Sequence, residues 1–342
     1  MIHRRNFLKF LVCGAGLSTL ACLQSHGRLL NFYNWSKFVA DTTIPDFEKR
    51  TGIRVNYEEF SSADVMYAKL KIGVTGYDLV VAPDYMVRRM IRQGLLAELD
   101  PKPDLSGYMP GLLAPPWDPD QRYCIPYLWG TTGIAYNKSK VKNPGDSWNL
   151  LWDESLRRRI TILDEKRDAI GMALFREGFS GNSTDANELA QAKEALLEQR
   201  PLVRRYTSDF TDDLVRGETW AALGWSGDVS QARDANPNID YFVPKEGSFL
   251  FVDSLVIPKT APHPEAAHKF LAYLAEPKVA ADITDKVGYA NPIVASKALV
   301  RPELIDSPLG FPPTDLIERL VYQADIGADE RQWDRIWAEV KL

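Results

Sequence analysis

The sequence predicts an α/β protein built as two lobes, and three observations predict it. From Leu29 onward short apolar runs alternate with amphipathic ones, the pattern of strands and helices following one another. At 342 residues a single core becomes hard to grow, so two bodies are expected. Two long extended runs, near 125–136 and 249–258, bracket a middle α/β block, as in a chain that crosses from one lobe to the other and later returns. Two crossings make a hinge, and a cleft between hinged lobes is a natural place to capture a ligand.

The first lobe opens as a βαβαβα series: strands at 29–32, 54–57 and 77–82, where apolar residues cluster, and helices at 44–51, 65–72 and 86–93, where they recur at helical spacing. The last of these ends at Gly94. Pro- and Gly-rich text from 101 to 119 has little regular pattern. The middle block carries strands at 160–163 and Ala221–Trp225 and a helix at 186–198; after the second long strand come helices at 264–275 and 279–287. Near the C-terminus Trp333, Ile336, Trp337 and Val340 mark the packed face of a last helix. The expected organisation is an export signal over 1–25, a first lobe of 28–129 plus 256–300, a second lobe of 130–255, and a C-terminal helical segment, 301–342, completing the lobes.

Composition is that of an ordinary folded protein, 45% hydrophobic and 25% charged, with 22 Gly and 22 Pro. With 41 Lys+Arg against 46 Asp+Glu the net charge of −5 gives no support to nucleic-acid binding, which needs positive charge to displace counterions from phosphates. Arg4, Arg5 and Lys9 precede an uncharged stretch from 10 to 23, too short to span a bilayer but suited to an export signal. The run Arg4-Arg5-Asn6-Phe7-Leu8-Lys9 resembles the twin-arginine motif, and Thr19-Leu20-Ala21-Cys22 resembles a permissive lipobox in which Cys22 would be lipidated. The alternative is a plain cleaved signal, cut near Ser25, with Cys22 discarded. Removing 1–21 takes away three basic residues and no acidic ones, leaving 38 against 46, or −8. Cys124 then has no intramolecular disulfide partner.

Enzyme signatures are mostly missing. There is no Gly-x-Ser-x-Gly, no Gly-x-x-x-x-Gly-Lys and no His-Glu-x-x-His, and His263 and His268 read as surface residues. Neither a metal nor a cofactor is expected. Paired carboxylates are what a glycoside hydrolase would use, but acids are abundant here and pairing alone says little.

Some acids are placed more pointedly. On a strand Phe249, Phe251 and Asp253 share one face, setting a carboxylate beside aromatic rings in an apolar segment with no local Lys or Arg. A buried charge there needs a partner, unless a distant base supplies one or the strand end is exposed. Glu165 and Asp168, at i and i+3 after a strand, project to one side of a helix that Asp164 would cap; the plainer reading is dipole-favoured acids at a helix start. Trp35, Tyr85, Trp225, Phe251 and Tyr289 fall at strand ends or in the loops after them, where α/β sheets put ligand sites. Carboxylates with aromatic walls suit an organic polycation: acids pair with ammonium groups, and each ring face adds about 0.5–2 kcal/mol of cation–π attraction.

With these residues in place the sequence resembles the bacterial extracellular solute-binding proteins of the spermidine/putrescine-binding family. The similarity covers essentially all of 28–342, through Phe32-Tyr33-Asn34-Trp35, Met66-Tyr67-Ala68-Lys69-Leu70, Tyr77-Asp78-Leu79-Val80-Val81, Ile125-Pro126-Tyr127-Leu128-Trp129-Gly130, Gly178-Phe179-Ser180-Gly181-Asn182, Asp253-Ser254-Leu255-Val256-Ile257-Pro258 and Gly288-Tyr289. The resemblance implies a two-lobe type II periplasmic-binding-protein fold, monomeric and periplasmic. It would close on putrescine or spermidine and deliver it to the permease and ATPase of an ABC importer.

By the same resemblance Trp35, Tyr85, Trp225 and Tyr289 match aromatic residues lining the polyamine site, with Ser36 beside the first. Glu165, Asp168 and Asp253 match amine-binding acids, the first two exchanged in type, and Gln323 matches a further polar contact. Departures from the pattern mark specificity. Lys37 stands where an acid is usual and would repel an ammonium unless it turns outward or pairs with an acid such as Asp84; Pro83 replaces a Ser, and Phe251 replaces a Trp. Another cationic solute that also carries a carboxylate, for which Lys37 would be an asset, and a sensor that reports a polyamine without transporting it are the alternatives within the fold.

Overall fold

Residues 29–60, 62–73 and 76–342 are described by the computed structural model. The predicted export segment, and Cys22 with it, lies outside them. Strand β1 (Leu29–Trp35) pairs in parallel with β2 (Arg54–Phe60) and β3 (Leu79–Pro83), and helices α1 (Thr43–Thr51) and α2 (Ala63–Lys71) make the crossovers. Local chemistry sets the helix limits. α1 stops at Gly52, which takes a left-handed φ of 69° and returns its N–H to Glu48, and α2 starts where the Ser62 hydroxyl accepts the Val65 amide. All five residues of β3 are buried, as a strand inside a mixed sheet covered on both faces requires. Helix α3 (Asp84–Arg92) follows it without a loop and ends short of Gly94, with Met86, Val87 and Met90 facing the core.

Strand β4 (Cys124–Asn137) changes partners along its length, and this builds the second lobe. Beyond it lie β5 (Ile160–Ile162), α4 (Lys166–Arg176), α5 (Ala186–Gln199), β6 (Val203–Tyr206), α6 (Thr211–Arg216), β7 (Ala221–Trp225), α7 (Ser226–Ala235) and β8 (Ile239–Phe242). Strand β9 (Ser248–Val256) then runs back, followed by α8 (Pro264–Leu274), α9 (Pro277–Val287), the two-residue β10 (Leu320–Val321) and α10 (Glu330–Lys341). The sheet order is β2-β1-β3-β9-β4-β7-β5-β6. Up to Thr131, β4 pairs with β9; from Thr132 onward it pairs with β7 and β8. On β9, residues from Leu250 to Val256 belong to the first lobe's ladders, and Ser248 and Phe249 pair with β10. Both crossings therefore lie side by side, next to Thr131 and Phe249.

Each lobe has its own core. In the first, Leu30, Phe32, Leu79 and Val81 of the sheet pack on Phe270 and Leu274 of α8; in the second, Ile162, Leu223 and Trp148 pack with Trp333 and Trp337. The last helix thus seals the second lobe with the face its spacing predicted, and within 301–329 helix occurs only as single turns, alongside the short strand β10. Phe249, expected to share one face of the strand with Phe251 and Asp253, sits in the second core against Phe175, because β9 has not yet crossed at that point. His263 and His268 are half-buried rather than surface residues, and His263 Nδ1 lies 3.1 Å from an Asp78 oxygen.

Candidate functional site

The crossing strands bring the N-terminal ends of three helices to one cleft. From the first lobe, β1 delivers Trp35, the β3–α3 junction delivers Pro83, Asp84 and Tyr85, and β9 delivers Phe251 and Asp253. From the second, the start of α4 delivers Glu165 and Asp168, and the β7–α7 junction delivers Trp225. Tyr289 comes from the turn after α9, and Gln323 from the segment after β10.

Asp253 is 4% exposed, and its Oδ1 accepts the Trp35 indole N–H at 3.0 Å. Burial pushes its carboxyl up to about 7 despite that hydrogen bond. Asp168 Oδ1 accepts the Thr132 hydroxyl at 2.7 Å; burial raises its pKa against the hydrogen bonding of Thr132, Gln323 and Trp225. Glu165 is the residue preceding α4 and makes no side-chain cap; burial, then the charges of Asp168, Asp64 and Asp164, push it up to about 8. Asp164 is not the cap either: its Oδ1 receives the Trp337 indole N–H at 3.1 Å and the Lys341 ammonium at 2.6 Å, which draw it out toward α10.

Asp228 was not picked out in the sequence. In the first turn of α7, it is half-buried and raised to about 6 by burial, with the Tyr289 hydroxyl and the charge of Lys37 opposing. The string Trp225-Ser226-Gly227-Asp228 at a strand end carries the signal, but only the fold brings Tyr289 to it. A Cβ at Gly227 would run into the Tyr289 ring, and one at Gly130 would lie 2.8 Å from Ser226 Oγ and 2.9 Å from Phe251 Cζ, so both positions need glycine for this packing.

The aromatic wall is continuous. Trp35 lies 6.4 Å from Phe38, Phe38 lies 5.1 Å from Tyr289, and Tyr289 lies 5.8 Å from Phe251 between ring centroids. Trp225 packs against the cores of both lobes, and Tyr85 feels the charge of Glu165 across the gap and that of Asp64 from its own lobe. Ser36 is exposed, with its amide and hydroxyl directed to the Phe60 carbonyl.

Lys37 does not pair with Asp84. It is exposed, in a left-handed backbone of φ 63°, with its amide donating to Glu59 Oε1 at 3.0 Å, and the cleft acid its charge acts on is Asp228. Asp84 lies deeper, wholly buried. Among the described residues none of Asp84, Glu165, Asp168, Asp228 and Asp253 has a Lys, Arg or His nitrogen within 4 Å. Burial without a cationic partner raises the proton affinity of these carboxyls, and an arriving cation competes with those protons.

The family described as "Bacterial extracellular solute-binding protein" matches residues 42–311. The chain is 35% identical to the putrescine-binding periplasmic protein PotF of Escherichia coli (strain K12), with 98% of each chain covered. It is 34% identical to the spermidine/putrescine-binding periplasmic protein of the same organism, with 96% of each covered. Among solved structures the Tp0655 (TpPotD) lipoprotein of Treponema pallidum superposes with a TM-score of 0.83 at 29% identity, over 92% of this chain and 99% of that one.

Proposed function

The chain belongs to the bacterial extracellular solute-binding proteins, and from that premise we propose that it captures a linear polyamine, putrescine or spermidine, between its lobes for an ABC importer. One observation carries the reading: among the described residues five cleft carboxylates from both lobes have no cationic partner within 4 Å, and a wall of aromatic rings runs between them. Ammonium groups satisfy the acids, and methylenes lie on the rings. Because the acids come from both lobes, a ligand bound to both favours the closed form by its differential contacts there.

In the same reading Trp35, Tyr85, Trp225, Phe251 and Tyr289 are the rings that hold the chain of the ligand, and Gln323 helps to hold Asp168. The monomer is the binding unit, and it passes its ligand to a permease driven by an ATPase. Export by the twin-arginine route and lipid attachment at Cys22 complete the proposal.

Calorimetric titration of the mature domain with putrescine, spermidine, spermine, agmatine and basic amino acids tests it. We expect at least one polyamine to bind well below about 1 mM, more than about 4 kcal/mol of binding free energy. A titration in which only a basic amino acid binds would transfer the site to a zwitterionic solute, with Lys37 as the carboxylate's partner.

A further inference from the structure

Asp84 is the least compensated acid in the cleft. Its Oδ1 takes the amide of Tyr85 at 2.7 Å, and its Oδ2, wholly buried, accepts no hydrogen bond from the described residues. A buried acceptor without a donor is costly, and folds keep such atoms where something else supplies the donor. The position shows where that donor would sit. Pro83 pairs directly with Asp253 across the β3–β9 ladder, so the residue after it, Asp84, leaves the sheet beside Asp253. From the other lobe Asp168 and Arg167 act on the same carboxyl, which therefore lies between the lobes.

Arg167 does not reach Asp84, although its Nε and Nη1 have no hydrogen-bond partner among the described residues. It stays more than 4 Å away, its Nη2 donates to Asn182 Oδ1 at 2.8 Å and to the Ala324 carbonyl at 2.9 Å, and its guanidinium stacks 4.3 Å from the Trp333 ring. Lys166 is also engaged elsewhere, 2.7 Å from Glu330 and 2.6 Å from Asp334. In this part of the cleft four carboxyl groups, Asp84, Glu165, Asp168 and Asp253, stand against the single cation of Arg167, so three have no cationic counterpart among the described residues. At the other end Lys37 offsets Asp228.

We propose that Asp84 is a ligand carboxylate and the specificity determinant of the cleft, placed to receive a protonated nitrogen inside the chain of a linear triamine rather than only the two ends of a diamine. This rests on the reading of the cleft as a polyamine site. It goes beyond that reading by assigning a residue and a charge to the choice between ligands.

The test is titration of the wild-type domain, Asp84→Asn and Asp84→Ser with spermidine and with putrescine, alongside thermal unfolding of each protein without ligand. Serine keeps an oxygen for the Tyr85 amide and serves if asparagine does not fold. The wild type should bind spermidine more tightly than putrescine. Either substitution should weaken spermidine at least about tenfold, about 1.4 kcal/mol, while putrescine changes by less than about threefold. A wild type that prefers putrescine, equal losses for both amines, or no loss for either would overturn the assignment. A residue with only a structural role would move the unfolding midpoint and leave the preference intact. If the wild type binds neither amine, the polyamine reading itself fails and takes this inference with it; if both bind and Asp84 leaves the preference untouched, only the inference fails.

Discussion

Glu165 and Lys166 are neighbours in sequence with opposite surroundings. Glu165 turns into the cleft, where Asp168 and Asp64 repel its charge and, among the described residues, no cation lies within reach of an ion pair. Lys166 turns outward into a network with Glu330 at 2.7 Å, Asp334 at 2.6 Å and, across the lobes, Asp64 at 3.6 Å. Arg89 of α3 adds a second link between the lobes, 2.9 Å from Glu330. In this rim network each charge meets its opposite, whereas in the cleft acids gather without one among the described residues. The rim is complete in the protein alone; the cleft is completed by what it binds.

The largest effect should come from breaking the cleft side of that contrast. Asp253→Asn removes a buried carboxylate that holds only an indole N–H, and we expect polyamine affinity to fall about a hundredfold, about 2.7 kcal/mol. The matching change on the rim, Asp334→Asn, should alter affinity less than about threefold, since exposed ion pairs contribute little. Comparable losses in both, measured by calorimetry, would mean that the acids of cleft and rim are not different in kind.

A smaller effect follows from the protons that the cleft acids carry. Without ligand, Asp228 is held at about 6, Asp253 at about 7 and Glu165 at about 8. An ammonium must displace those protons, so affinity should rise between pH 6 and pH 8, at least about tenfold, with protons released on binding. The stability of the ligand-free fold should run the other way. Carboxyls whose pKa is raised by folding favour the folded state below the ordinary carboxylate range near 4, and that contribution is lost as pH rises through 6 to 8. Titrations in buffers of different ionisation enthalpy, with unfolding curves at the same pH values, check both signs. An affinity that is flat from 6 to 8 would show the acids already ionised before ligand arrives.

Much of this was legible in the sequence, and the exceptions share a cause. The long strands were visible because runs such as 125–136 are uncharged throughout, and α10 because its Trp and Ile residues recur at helical spacing. Strand β6, Val-Arg-Arg-Tyr, and the short helix α6, Thr-Asp-Asp-Leu-Val-Arg, are too polar and brief to announce themselves. In the site, Asp253 stood out as an acid in an apolar strand, and Glu165 with Asp168 by their spacing. Asp228 did not, because its setting is made by Tyr289, sixty-one positions on by numbering, and by a glycine that admits the ring. Asp84 was seen only as a counter-ion for Lys37, whereas the register of β3 against β9 puts it beside Asp253. Local pattern finds acids that break a motif; only the fold shows which acids meet.

The smallest effect sharpens the rim side. Arg89–Glu330 and Lys166–Asp64 join the lobes, so if they exist only in the closed form they bias the closing equilibrium and add to apparent affinity without touching ligand. Glu330 and Arg89 side chains are each 13% exposed, less screened than a surface pair. Glu330→Gln should therefore weaken polyamine binding about two- to fivefold, in the range of a pair worth up to about 1 kcal/mol. It should also make the dependence of affinity on salt shallower than in the wild type, because one of the salt-sensitive contributions to closure is gone. If the substitution lowers the unfolding midpoint but leaves affinity and its salt slope unchanged, the pairs persist when the lobes open. The rim would then be scaffold, and the free energy of closure would come from the ligand and the cleft acids alone.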